Sequence, residues 1–157
     1  MTAIAAIGLC SALAALASSA LAADPLSAVK SIRVESLGAR PCSNELAKDL
    51  DHEFHKVSGL RLAPSPNQAD AIVRGECQVW IRGYVSLNPR AGSGPGRGTP
   101  IYGGYLSVEL RDQHNAVLWS YLATVHTGTS DAGKDLSRQV AKALKLALEK
   151  AARKEQP

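Results

Sequence analysis

In "ADAIVRGECQVWIRGY", Ala69 to Tyr84, the chain alternates between apolar and polar positions. Ala71, Val73, Gly75, Cys77, Val79 and Ile81 fall on one side, and Arg74, Glu76, Gln78 and Arg82 on the other. A period of two over that length predicts a half-buried strand. "SIRVESLG" does the same on a smaller scale, with Ile32 and Val34 opposed to Arg33 and Glu35. Two further runs lie in "YGGYLSVELRDQHNAVLWSYLATVHTG". In the first, Leu106, Val108 and Leu110 alternate with Tyr105, Ser107, Glu109 and Arg111. After the turn "DQHN", Val117, Trp119, Tyr121, Ala123 and Val125 are the expected buried set of the return strand, which makes a hairpin.

Elsewhere the period changes to that of a helix. Leu46, Leu50, Phe54 and Val57 mark one stripe of "NELAKDLDHEFHKVSG", which is expected to start behind a Ser43 cap and stop at Gly59. "DAGKDLSRQVAKALKLALEKAARK" carries a second stripe: Leu136, Val140, Ala143, Leu144, Ala147 and Ala151. Ser130 is its expected cap, and the opposite side is rich in Lys and Arg. "LRLAPSPNQ" reads as a short extended piece and a turn. The order β-α-β-β-β-α predicts an α+β fold, a two-layer sandwich with two helices on one face of a four-stranded mixed sheet. Its first crossover should be parallel and right-handed, with antiparallel hairpins after it. The far face of such a sheet is open and polar.

The amino terminus sets the compartment. Residues 1–22 hold no Asp, Glu, Lys or Arg, and they end in Ala20-Leu21-Ala22, the small-x-small pattern of a signal peptidase site. Cleavage after Ala22 would leave a single domain, 23–157, with no transmembrane helix, in the periplasm or outside the cell. A membrane anchor suits the stretch less well, because it is alanine-rich and short for a span of about 20 residues. Cys10 follows the bulky Leu9, where a lipidation box needs a small residue. The remaining Cys42 and Cys77 form an even pair, read as a disulfide in an oxidising compartment or else as two buried thiols. With no CxxC and no nearby Cys–His grouping, no metal site is expected.

Charge narrows the partners. There are 18 Lys and Arg against 14 Asp and Glu, a net charge of +4. The densest basic stretch is the last helix, with Lys142, Lys145, Lys150, Arg153 and Lys154, where a solvated face and a helix carboxyl end both suit cations. Nucleic-acid binders interleave such clusters with aromatics, so no nucleic acid is expected.

"RAGSGPGRGTP", within residues 88–100, looks at first like a phosphate cradle. Such a cradle leads from a strand into a helix amino terminus, whereas this segment joins two predicted strands. Position 97 holds Arg97 where a P-loop needs glycine, and Thr99 stands where G-x-G-x-x-G needs its last. The segment is therefore expected to be a long hairpin loop, whose Arg90 and Arg97 could still touch an acidic partner or a lipid headgroup. His52 and His55 are spaced i, i+3 rather than the i, i+4 of zinc proteases, and should face water opposite the Leu46 stripe. His114 falls in a turn and His126 near a strand end. No G-x-S-x-G elbow is present. No catalytic residue, metal or cofactor is assigned, so the chain is read as non-enzymatic.

"SNELAKDLDHEF", "ADAIVRGECQVW" and "YLSVELRDQHNAVLWSYL" carry a resemblance. Their arrangement resembles the small envelope domains of Gram-negative bacteria exemplified by the LPS-assembly lipoprotein LptE, the amino-terminal domain of TolB and the curli-secretion protein CsgG. That likeness implies a plug, scaffold or ring component of an envelope assembly, without the lipid-anchoring cysteine of LptE and CsgG. The expected partner is another envelope protein or a second copy of the chain, with contact to the outer-membrane surface also open. Trp80, Arg82, Tyr105, Arg111 and Arg97 are the candidate partner-binding residues. Trp80 suits an interface anchor, and equally a local stack on Tyr105 or an arginine stem. Two rival readings stand beside this one. The first is an exported hydrolase with a scattered site, and the second is a basic module on anionic lipid or polysaccharide through the last helix.

Overall fold

A computed structural model describes residues 24–35, 37–40, 42–86, 90, 98–125 and 131–154. The expected signal peptide, Arg97 with its neighbours, His126 and Ser130 lie outside the described residues. In chain order the elements are β1 (Ser31–Val34), α1 (Ser43–Phe54), β2 (Arg61–Leu62), a 3-10 turn (Pro66–Gln68), β3 (Ala71–Val85), β4 (Thr99–Asp112), β5 (Val117–Thr124) and α2 (Ala132–Lys154). Two helices and one mixed sheet make this an α+β protein, as the hydrophobic pattern predicts. The sheet has five strands rather than four, in the order β2-β1-β3-β4-β5. The extra strand is Arg61–Leu62, which pairs in parallel with Ser31 and Ile32. Two residues are too few to display a period, so alternation could not reveal it. β1 is also parallel to β3, and the β3–β4 and β4–β5 pairs are antiparallel.

One side of the sheet meets the helices. Ile32, Val73, Cys77, Leu106, Val108 and Leu110 are buried against Leu46, Leu50 and Phe54 of α1 and Leu136, Val140 and Leu144 of α2. Each such large side chain contributes about 1.5–3 kcal/mol by leaving water. Gly75 lies in this layer because a Cβ there would overlap the Ser107 carbonyl, so only glycine lets β3 approach β4 so closely.

Asp70 fixes how β1 and β3 start. Its Oδ2 accepts hydrogen bonds from the Lys30 and Ser31 N–H groups at 3.0 and 2.7 Å, and from the Ser31 hydroxyl at 2.8 Å. Its own N–H donates to the Ser31 carbonyl at 2.9 Å. The Ser31 hydroxyl first, and then the two N–H groups, hold the Asp70 carboxyl below the usual carboxylate range. The Asp of "ADA" thus registers two parallel strands.

Several local expectations are corrected. Ser43 does not cap α1; it is the first helical residue, and its hydroxyl donates to the Leu37 carbonyl at 2.9 Å. Helix α1 ends at Phe54, before Gly59, and Val57 fills the core from the following turn. At α2 the cap is Asp131, whose Oδ1 accepts the Lys134 N–H at 3.2 Å. Val117 does not belong to the buried set. Leu110 pairs with Trp119 and Arg111 with Val117, so a bulge absorbs Leu118 and leaves Val117 49% exposed. Strict alternation cannot register that extra residue.

Candidate interaction surface

The outward face of the sheet has two halves of different character. Towards the Asp112 end, charges neutralise one another. Arg74 Nε donates to Glu35 Oε2 at 2.7 Å, and Arg74 stands opposite Glu109 in register. Arg111 donates twice to Glu109 Oε2, from Nε at 2.9 Å and Nη2 at 2.6 Å, and once to the Asn115 carbonyl at 3.1 Å. Arg111, a candidate partner-binding residue, therefore spends three donors on its own strand and turn.

The other half is apolar and less supported. β5 leaves the ladder at the Tyr105–Thr124 pair, with a last bond from the Val125 N–H to the Gly104 carbonyl at 3.0 Å. On the opposite side β1 pairs with β3 only as far as Val73. Beyond these points β3 and β4 continue as a two-stranded ribbon to the Val85–Thr99 pair. Trp80 faces Gly103 across this ribbon. A Cβ on Gly103 would come within 2.9 Å of Trp80 Cε2 and 2.7 Å of Arg82 Cδ, so the indole and the arginine stem both lie over that glycine. Alternation keeps Arg82 on the same side as Trp80, and the register shift between Ile81 and Gly83 makes Arg82 the extra residue of a bulge.

Trp80 remains 45% exposed there, and Leu122 of β5 is 60% exposed. Tyr105 is half-buried between Gln78 and Thr124 in register. The ring stack found among the described residues is instead Trp119 on Tyr121, with centroids 5.8 Å apart and planes 6° from parallel. Trp80, Arg82 and Tyr105 thus share one face, Arg111 lies on it but is engaged, and Arg97 is outside the described residues. Leu122 was missed, although alternation places it with Ser120 and Thr124 on the polar side, where a leucine is out of place.

A cleft of about 240 Å³ opens behind the ribbon, lined by Cys42 and Asp49 of the α1 region, Val79, Tyr102, and Asp131 to Gly133 at the start of α2. Burial raises the Asp49 carboxyl, and the nearby Asp131 raises it further. Cys42 and Cys77 are both thiols. His52, His55 and His114 are exposed. Among the described residues, no group of three His, Cys, Asp or Glu side chains is arranged to hold a metal ion. No helix among them is long and apolar enough to cross a membrane.

No protein-family profile matches the chain, and no curated protein matches its sequence. Solved structures of PelC dodecamers from Paraburkholderia phytofirmans are similar to it at 20% identity. A variant dodecamer aligns with a TM-score of 0.47 over 74% of this chain and 88% of that one. A second PelC dodecamer aligns at 0.43, over 80% and 87%. Neither alignment is close enough to carry a role to this chain.

Proposed function

We propose that this chain is an exported, non-enzymatic component of the cell envelope that docks onto another envelope protein, or a second copy of itself, through the outward face of its sheet. The carrying observation is Trp80, nearly half exposed beside Arg82 on the outward side of β3. A large aromatic and an arginine are residue types that dominate interface energetics. Leu122 adds a second exposed apolar side chain on the same face, opposite Ser107 in register. The export half of the proposal is supported by the uncharged, alanine-rich residues 1–22 with their small-x-small ending. The non-enzymatic half is supported by the state of the polar groups on this face, where Arg74, Glu35, Arg111 and Glu109 bind one another.

The test is photo-crosslinking in the native cell from a probe at Leu122, compared with one at Lys142 on the exposed side of α2. A defined product should form from Leu122, weaken with Trp80→Ala, and be absent from Lys142. Equal products from both positions would shift the contact to the basic helix. Loss of folding on Trp80→Ala would make the indole a packing residue instead. Mass analysis of the recovered protein reports its mature amino terminus, which places cleavage after Ala22 or denies it.

A further inference from the structure

Cys42 and Cys77 lie far apart in the chain, yet the fold sets them side by side. Cys42 is the residue that precedes the first turn of α1, and its thiol donates to the Cys77 carbonyl at 3.5 Å. Cys77 faces inward from the middle of β3 with no exposure, and its sulfur lies 3.7 Å from the Ser43 hydroxyl. The two thiols do not meet solvent equally. Cys42 is half-buried and lines the cleft behind the ribbon, whereas Cys77 is sealed in the core.

We propose that Cys42 and Cys77 are a disulfide-forming pair, in which Cys42 meets a disulfide oxidant through the cleft and Cys77 closes the bond. The Cys42 thiolate attacks one sulfur of the oxidant, forms a mixed disulfide and expels one thiolate. The Cys77 thiolate then attacks Cys42 Sγ, and the second half of the oxidant leaves as a thiolate. Two cysteine thiols are oxidised, one external disulfide is reduced to two thiols, and the two cysteine protons pass through solvent to the released thiolates.

The chemistry sets the order of events. Burial, reinforced by a hydrogen bond with Cys42, pushes the Cys77 thiol up to about 11, while Ser43 and Arg40 pull it down. A thiol so rarely ionised is a poor first attacker, and the core admits no external disulfide to it. It needs only to reach the sulfur beside it. The resulting bond would tie the start of α1 to the middle of β3, next to the outward-facing Gln78 and three residues from Trp80. This inference stands apart from the docking proposal, since it concerns the covered side of the sheet.

The experiment uses the purified full chain carrying Cys10→Ser, so that Cys42 and Cys77 are its two cysteines, reduced and then incubated, still folded, with oxidised glutathione. Trypsin separates the two cysteines, because it cuts after Arg33 and Lys48 on either side of Cys42, and after Arg74 and Arg82 on either side of Cys77. The expected product is one crosslinked pair of peptides, Val34–Lys48 with Gly75–Arg82, in a chain that remains monomeric on a non-reducing gel. In Cys77→Ser the mixed disulfide with glutathione should persist on Cys42. In folded Cys42→Ser, Cys77 should stay a free thiol until denaturant is added. A lasting glutathione adduct on Cys42 of the chain that keeps both cysteines would overturn the proposal, as would unreacted thiols or a crosslink between chains through either cysteine. The chain that keeps both cysteines decides the matter even if a further variant fails to fold.

Discussion

The same two strands, β3 and β4, build two unlike regions. At the Ala71–Asp112 end they are flanked by β1 and β5 and backed by both helices. There Val73, Leu106, Val108 and Leu110 have almost no exposure, and the outward arginines are matched with glutamates. Past Gly104 both neighbouring strands are gone, and Trp80, Ile81 and Val85 are each nearly half exposed. The sequence alternates in much the same way through both regions. What differs is the company each strand keeps. Exposed apolar side chains and unpaired strand edges coincide in the far region, where a partner gains most by covering them.

The comparison breaks most readily on stability. Leu110→Ala, in the covered region, should cost about 2–5 kcal/mol, from lost burial and the cavity left behind. Val85→Ala, in the far region, should stay within about 0.5 kcal/mol of the parent. Urea denaturation read by circular dichroism measures both. Similar costs at the two sites would mean that the far ribbon is packed in solution and is not a free surface.

Asp70 offers a smaller, directional test within the covered region. Asp70→Asn removes a charged acceptor of three hydrogen bonds and should cost about 1–2 kcal/mol at neutral pH. Because the carboxyl titrates lower when folded than when unfolded, its contribution is complete above the ordinary carboxylate range. As pH falls through about 4 and below, that contribution disappears. The gap between parent and variant should therefore close in acid. Urea midpoints measured from pH 7 to pH 3 read this directly, and a constant gap would assign the loss to altered packing.

Much of the covered region was legible in the sequence, because burial on one face leaves a period. The stripes at Leu46, Leu50 and Phe54, and at Leu136, Val140 and Leu144, each align with a helix that packs on the sheet. The misread positions are those where a local geometric choice overrides the pattern. A bulge at Leu118 turns Val117 to the other side of the sheet. Asp131 caps α2, and adjacent candidates of similar chemistry cannot be ranked by composition. The proximity of Cys42 to Cys77 was an expectation from parity and compartment, and only tertiary structure supplies it. The candidate surface was legible as a polar face bearing a tryptophan. That Arg111 is engaged by its own strand and turn could not be read from spacing, whereas alternation already places Arg82 on the Trp80 side.

The smallest expected effect on stability is also the sharpest test of the far region. Gly103→Ala places a methyl where the Trp80 ring and the Arg82 stem now lie, at 2.9 and 2.7 Å. Both obstacles are side chains that can swing away, so stability should change by no more than about 0.5 kcal/mol. The indole, however, must leave its seat. In a Trp119→Phe background, where Trp80 is the remaining tryptophan, its fluorescence maximum and quenching by acrylamide should report that displacement. If the seated indole is the anchor, the Leu122 crosslink should weaken in Gly103→Ala nearly as much as in Trp80→Ala. A crosslink that survives Gly103→Ala but not Trp80→Ala would show that the partner reads the ring wherever it sits. Survival in both variants would move the contact off this half of the sheet.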